Sequence, residues 1–357
     1  MEIVSVVSIH FSAAYERLDR EEHTMQKQFT APGPVLDANG SPNPGYSLKS
    51  VLKYNRKAIK SPPYRIKEWD FYQVSDASMC LQFTIGHASY AGQASVMFFD
   101  FGKGVKLAEK GTFMVLPFGS LHMPENAEED HTLAYSKKGK TITFETTGNT
   151  RTLHAIWDDF EAKIVLKRQN PNSLVINLPF TESPKAFYYN HKINCMTAEG
   201  FVRYGTSEYR FEPEASFGIL DWGRGVWPFH NEWYWSNGTG YLDGKMFGFN
   251  LGCGFGDPSA ATENILFYDG TAHKLDAVHF DLGGSYELPW HLYDDEGRLD
   301  LVFTPIYDRT TRTKLLWVDN SCHQMFGSFR GYAVLDDGRR LEVENVVSFA
   351  EHAVNNW

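Results

Sequence analysis

The stretch SKKGKTITFETTGNTRTLHAIWDDFEAKIVLKRQNPNSLVINL, residues 136–178, decides the fold class. Turn-like segments at 136–140, around Gly139, and at 147–149 punctuate short runs rich in Val, Ile, Thr and Phe at 141–146, 163–167 and 173–178. Branched and aromatic side chains suit the pleated surface of a strand, and Gly and Asn take the tight turns between strands. The same cadence spreads outward. Turn signals recur at 37–44, around Asn39-Gly40, and at 336–338, with strand-like runs at 79–85, 232–236, 246–251, 299–303, 313–318 and 325–334. Short strands at this spacing predict an all-β protein of antiparallel barrel type, because a parallel sheet would need regularly interposed amphipathic helices and none is present.

A chain of 357 residues exceeds the usual single core, so two domains are expected. The polar, Pro-containing stretch 169–185 is the expected seam, giving one barrel-like half at 25–180 and a second at 181–357. Each is long enough for an eight-stranded barrel. The first 24 residues read as a separate extension. Arg20-Glu21-Glu22 is what a purine-rich ribosome-binding sequence would spell if translated, so Met25 is an expected natural start, a genuine extension being the alternative.

The 34 Lys and Arg against 44 Asp and Glu leave a net charge of −10 with no basic cluster, which disfavours nucleic acid as a partner. Cys80, Cys195, Cys253 and Cys322 form no Cys-x-x-Cys pair, so no zinc ribbon or dithiol motif exists and a reduced, cytoplasmic setting is expected. No apolar run approaches the roughly 20 residues that span a bilayer. Aromatic residues are the departure from average: 26 Phe, 18 Tyr and 9 Trp suit a pocket for a small apolar molecule.

Four strings carry a family resemblance: KEWDFY at 67–72, FYYNHKINCM at 187–196, LDWGRGVWP at 220–228 and GFGDPSAATEN at 254–264. Together they closely resemble the bacterial domain-of-unknown-function 2804 family over nearly everything after about Pro32. That family brings no activity that transfers residue by residue. More distantly, the two-barrel arrangement resembles calycin-type, lipocalin-like proteins related to carotenoid hydratases and to tocopherol, kievitone and decalin-forming cyclases. The resemblance implies chemistry on hydrophobic substrates without an organic cofactor.

Residues 221–235 are the most informative segment, with charged groups, four tryptophans and two glycines in fifteen positions. If 231–236 is a strand, Glu232, Tyr234 and Ser236 face one way, and Trp233 and Trp235 the other. Two arrangements fit. In one, Asp221, Arg224 and Glu232 stand at a cavity mouth walled by Trp227 and Trp233. In the other, Asp221 and Arg224 pair to close a barrel end. In the next strand Phe247, Phe249 and Leu251 oppose Gly248, Asn250 and Gly252, so Asn250 has room beside it for a ligand or a close backbone. Gly252, Gly254 and Gly256 do not make the dinucleotide fingerprint. Asp257 reads as a cavity acid or a turn residue before Pro258. Glu263 reads as a second cavity acid or a strand-end ion pair. His191 and His230 are candidate ligand contacts; His273 and His279 are scattered, and no histidine spacing suggests a metal. Asp70 and Tyr72 share a strand face with Glu68 and are read as contacts between the halves.

Asp221, Glu232 and Glu263 are thus the candidate catalytic acids, because burial among aromatic rings disfavours the charged carboxylate. The expected function is cofactor-free, acid-catalysed lyase, isomerase or cyclase chemistry on a hydrophobic small molecule. A glycoside-cleaving enzyme with paired carboxylates and Trp platforms is the first rival, and a lipid or pigment carrier the second.

Overall fold

A computed structural model describes residues 26–315 and 318–356. The expected extension at 1–24, and Met25 as a start, lie outside the described residues, as does part of the expected strand at 313–318. Strands dominate. Among the described residues the helical elements are two single 3-10 turns, Arg56–Ala58 and Pro63–Arg65, and no helix is long and apolar enough to cross a membrane.

Among the described residues thirteen strands form one curled antiparallel sheet and nine form a second. The first runs from its edge strand Val105–Val115 through Ala91–Asp100, Met79–His87, Lys67–Ser75, Phe217–Val226, Ser183–Tyr204 and onward to His131–Lys137. In the second, the central strand Arg340–Asn356 is flanked by His230–Leu242, which pairs in turn with Lys245–Cys253, and by Val318–Val334. The two-barrel, all-β architecture is as the sequence cadence implies. The change of sheet, however, falls at residues 227–229 rather than near 180. The stretch read as a seam contains the strand Leu174–Phe180, which pairs along Ser183–Tyr204 inside the first sheet. Pro179 sits at a register shift in that pairing, where a missing N–H costs little.

Each sheet wraps its own apolar core. Tyr72, Phe83, Phe144 and Trp222 anchor the first, and Phe249, Trp290, Phe303 and Phe329 the second. A third apolar layer, including Trp235, Phe99, Phe326, Phe349 and Ile219, lies between the sheets. Ser183–Tyr204 shows why the two pack so closely. It is buried without interruption from Ala186 to Ala198 because one face enters the first core while the other meets the second sheet. Phe187, Tyr189 and Ile193 point into the core. Tyr188, Asn190, Lys192 and Asn194 point across, and Asn194 Nδ2 donates to the Phe249 carbonyl at 3.1 Å.

The contacts between halves expected of Asp70 and Tyr72 are corrected. Glu68, Asp70 and Tyr72 do share a face, but that face is the interior of the first sheet. The residues that reach across are their neighbours on the other face, such as Gln73, which donates to Ser348 Oγ at 3.2 Å.

Candidate active site

Three strands of the first sheet and three segments of the second converge on a buried polar cluster. Lys192 and Asp221 are paired in register on adjacent strands, and Lys192 Nζ lies 3.0 Å from Asp221 Oδ1. Asp221 also accepts from Asn190 Nδ2 at 2.6 Å and from the Trp69 indole at 2.8 Å. Trp69 fits because its register partner is Gly223, where a Cβ would sit 2.0 Å from the indole ring. From the second sheet, Glu263 Oε2 approaches Lys192 Nζ at 3.5 Å and the Tyr188 hydroxyl at 3.4 Å. The Trp235 ring covers the ammonium at 4.0 Å. Asn250 ties this side down, accepting from Trp235 Nε1 at 2.7 Å and donating to the Glu263 carbonyl at 2.7 Å.

The electrostatics assign different roles to the acids. One ammonium faces two carboxyl groups out of water, so one carboxyl is best kept neutral. Asp221 accepts three hydrogen bonds, from Lys192, Asn190 and Trp69. Burial pushes the Glu263 carboxyl up from the usual range; Lys192 opposes the shift and Asp221 reinforces it. Glu351, buried on the adjoining strand, is likewise raised by burial, against hydrogen bonds from Trp233 Nε1 at 2.8 Å and Gln324 Nε2 at 2.9 Å. Asn190 Oδ1 is buried beside Asp221 with no hydrogen-bond partner among the described residues, an open acceptor for a substrate hydroxyl or a water.

An aromatic box adjoins this cluster. Phe255 packs edge-on to Tyr188, Trp233, Phe180 and Trp227, with centroids 4.7, 5.2, 5.3 and 5.5 Å away. It projects from a turn whose flanking Gly254 and Gly256 have φ of +89° and +81°, a conformation side chains rarely tolerate. Outside the box is a cleft of about 430 Å³ bordered by Phe180, His230, Glu232, Gly254 and Asp257.

The sequence-selected residues therefore divide. Asp221 and Glu263 meet on Lys192, while Trp227 and Trp233 form the box. His230 and Asp257 line the cleft, and Asp257 Oδ1 accepts from the Ser259 amide at 2.9 Å, as a turn residue would. Glu232 borders the cleft too, but its carboxylate turns away from Lys192 and accepts from His352 Nε2 at 2.8 Å. Tyr234 stacks on His352. The expected pairing of Asp221 with Arg224 does not form. Three positions apart on one strand, they face opposite sides. Arg224 lies fully buried in the first sheet, 2.8 Å from Asp70 and with its guanidinium 3.8 Å over Trp222, so it is no cavity-mouth residue. His191 also faces that interior, bonded to Ser173 Oγ at 2.7 Å, and burial holds its pKa down to about 3. The amide of Asn250 is spent on protein partners.

Sequence reasoning missed Lys192, Glu351, Tyr188 and Trp69. The first two had a signal, since each is the one Lys, Arg, Asp or Glu in a short run otherwise apolar or neutral, NHKIN and SFAEHAV.

The family model for a domain of unknown function (DUF2804) matches residues 26–357. Among curated proteins none matches the sequence. Among solved structures the chain is similar to a protein assigned as AttH from Nitrosomonas europaea, at 12% identity and a TM-score of 0.50, covering 84% of this chain and 96% of that one. CghA is similar at 11% identity and a TM-score of 0.49, covering 91% and 97%. Kievitone hydratase from Nectria haematococca follows at 9% and 0.49, covering 81% and 88%. At these identities the first likeness is one of fold.

Proposed function

We propose that this chain, which belongs to the domain-of-unknown-function 2804 family, is an acid-catalysed lyase, isomerase or cyclase acting on a hydrophobic small molecule at the junction of its two sheets. The observation that carries the reading is Glu263: a buried carboxyl raised by desolvation, bonded to a phenol and adjoining a box of tryptophans. A neutral carboxyl there protonates an alkene, or protonates a hydroxyl group whose C–O bond then breaks with release of water, and general acid catalysis of this kind contributes about 10²–10⁴ in rate. The cationic carbon that results is stabilised by indole and phenol faces, each by about 0.5–2 kcal/mol. The proton is then lost from a neighbouring carbon, or water is captured, and Glu263 is restored. Asp221 holds Lys192 in place, and Asn190 Oδ1 orients a hydroxyl. The substrate enters from the cleft past Phe255.

Glycoside cleavage fits less well. Its two carboxyl groups must flank an open space for the glycosidic oxygen, whereas the Lys192 ammonium fills the space between Asp221 and Glu263. A passive carrier would gain nothing from a buried neutral acid.

The test is incubation with linalool, geraniol and farnesol, followed by gas chromatography for loss, gain or migration of water. The reading expects turnover that Glu263→Gln lowers by about 10² or more while binding, read by Trp fluorescence, changes little. Hydrolysis of p-nitrophenyl glycosides with no reaction of the alcohols would overturn it.

A further inference from the structure

A second cluster, outside the proposed acid site, lies where three adjacent strands of the second sheet carry Tyr234, His352 and His323 in register. His323 Nδ1 is 2.8 Å from Asp308 Oδ2, and Thr310 Oγ1 holds that same oxygen at 2.9 Å. The Tyr286 ring lies flat on His323, centroids 3.9 Å apart and planes within 8°. Tyr286 is itself anchored, its hydroxyl 2.7 Å from His352 Nδ1, while His352 Nε2 contacts Glu232 at 2.8 Å. Tyr234 stacks on the His352 ring at 4.2 Å and 2°.

Two carboxylate–imidazole pairs are thus locked together through one tyrosine. A carboxylate at Nδ1 fixes the tautomer in which that nitrogen carries the proton, and leaves the Nε2 lone pair available. No described residue hydrogen-bonds His323 Nε2, and the side chains of His323 and Asp308 are 24% and 23% exposed, so the pair is reachable from solvent. Two other Asp–His pairs are more exposed and less closely stacked: the side chains of His279 and Asp295 are 44% and 75% exposed with Tyr293 tilted by 33° on the imidazole, and those of His291 and Asp300 are 43% exposed each with Tyr293 at 4.7 Å and 27°. Only a base whose orientation is fixed before the substrate arrives avoids the entropic cost of ordering it.

We propose that this cluster is a second proton-transfer centre, in which His323 Nε2 moves a proton between two positions of a flat conjugated molecule stacked at the rim of the second sheet. In the forward step a C–H bond of the substrate breaks, an N–H bond forms at Nε2, and the electron pair stays in the conjugated system. The imidazolium, stabilised by Asp308, then returns the proton to another atom of the same molecule, so the net change is an isomerisation that needs no oxidant or co-reactant. Tyr286 is a positioning residue, fixing the imidazole plane and offering the stacking edge.

The probe is 5-nitrobenzisoxazole, whose C–H is removed by a base as its N–O bond breaks to give a coloured cyanophenolate. Wild-type protein should exceed free imidazole at equal concentration by about 10²-fold. His323→Gln should abolish that advantage, Asp308→Asn should lower it about 10-fold by releasing the tautomer, and His279→Gln should leave it unchanged. A wild-type rate no higher than that of imidazole overturns the proposal, as does a natively folded His323→Gln that keeps the wild-type rate. Should His323→Gln fail to fold, equal rates for Asp308→Asn and wild type overturn it, and the 10-fold loss supports it.

Discussion

Glu263 links the chemistry of one residue to the stability of the whole chain. Its carboxyl is raised in the folded protein, so the native state holds this proton more tightly than the unfolded chain does. The stabilising contribution is complete below the ordinary glutamate pKa of about 4.3 and is lost as the pH rises through the native value. Glutamine mimics the protonated acid and cannot lose a proton. The melting temperature of wild type should therefore fall relative to Glu263→Gln as the pH is raised from about 4 through neutrality, measured by calorimetry across that range; a constant offset would mean that Glu263 is not raised. At this scale Asp221 and Glu263 were legible as acids beside Trp and Phe runs. Isolation alone does not mark Lys192 or Glu351 as site residues, since an isolated charge in an apolar run usually belongs to a solvated face, and only the docking of the two sheets on each other turns these faces inward.

At the scale of the strand, period-two alternation decides what meets what. Asp221 and Arg224 were grouped by proximity in sequence, although an odd separation sends them to opposite faces. Applied to 221–226, the parity rule would have sent Trp222 and Arg224 one way, with Gly223 and Gly225 on the face of Asp221. The same parity, read correctly at 232–236 and 247–252, separated Glu232 from Trp233 and Phe249 from Asn250 as the structure does. What parity could not tell was which face is the inside of a sheet and which is the junction, hence the misplacement of Asp70 and Tyr72. The Lys192–Asp221 pair bridges two neighbouring strands while buried, with side chains 4% and 10% exposed. Losing one partner strands the other, at a cost of about 3–5 kcal/mol, whereas replacing both with apolar groups costs less. Lys192→Met and Asp221→Leu should each lower the denaturation midpoint sharply, and the double variant should lie above the value expected from adding the two losses. Strict additivity would show that the pair is not coupled.

For the whole molecule, the two curled sheets and their near absence of helix were readable from turn spacing. The site between them was not, because it depends on a packing of surfaces that no local pattern encodes. Trp69, Asn190, Lys192 and Asp221 come from the first sheet and Trp235, Glu263 and Glu351 from the second, so neither half alone builds the buried acid. Docking of the sheets takes Glu263 out of water and so raises its carboxyl above the ordinary glutamate range. The most direct measurement is the infrared difference spectrum between wild type and Glu263→Gln near pH 7, recorded for the intact chain. A carboxylic-acid carbonyl band present in wild type and missing from the variant is the predicted result; loss of only ionised-carboxylate bands would show that Glu263 is charged in the folded chain.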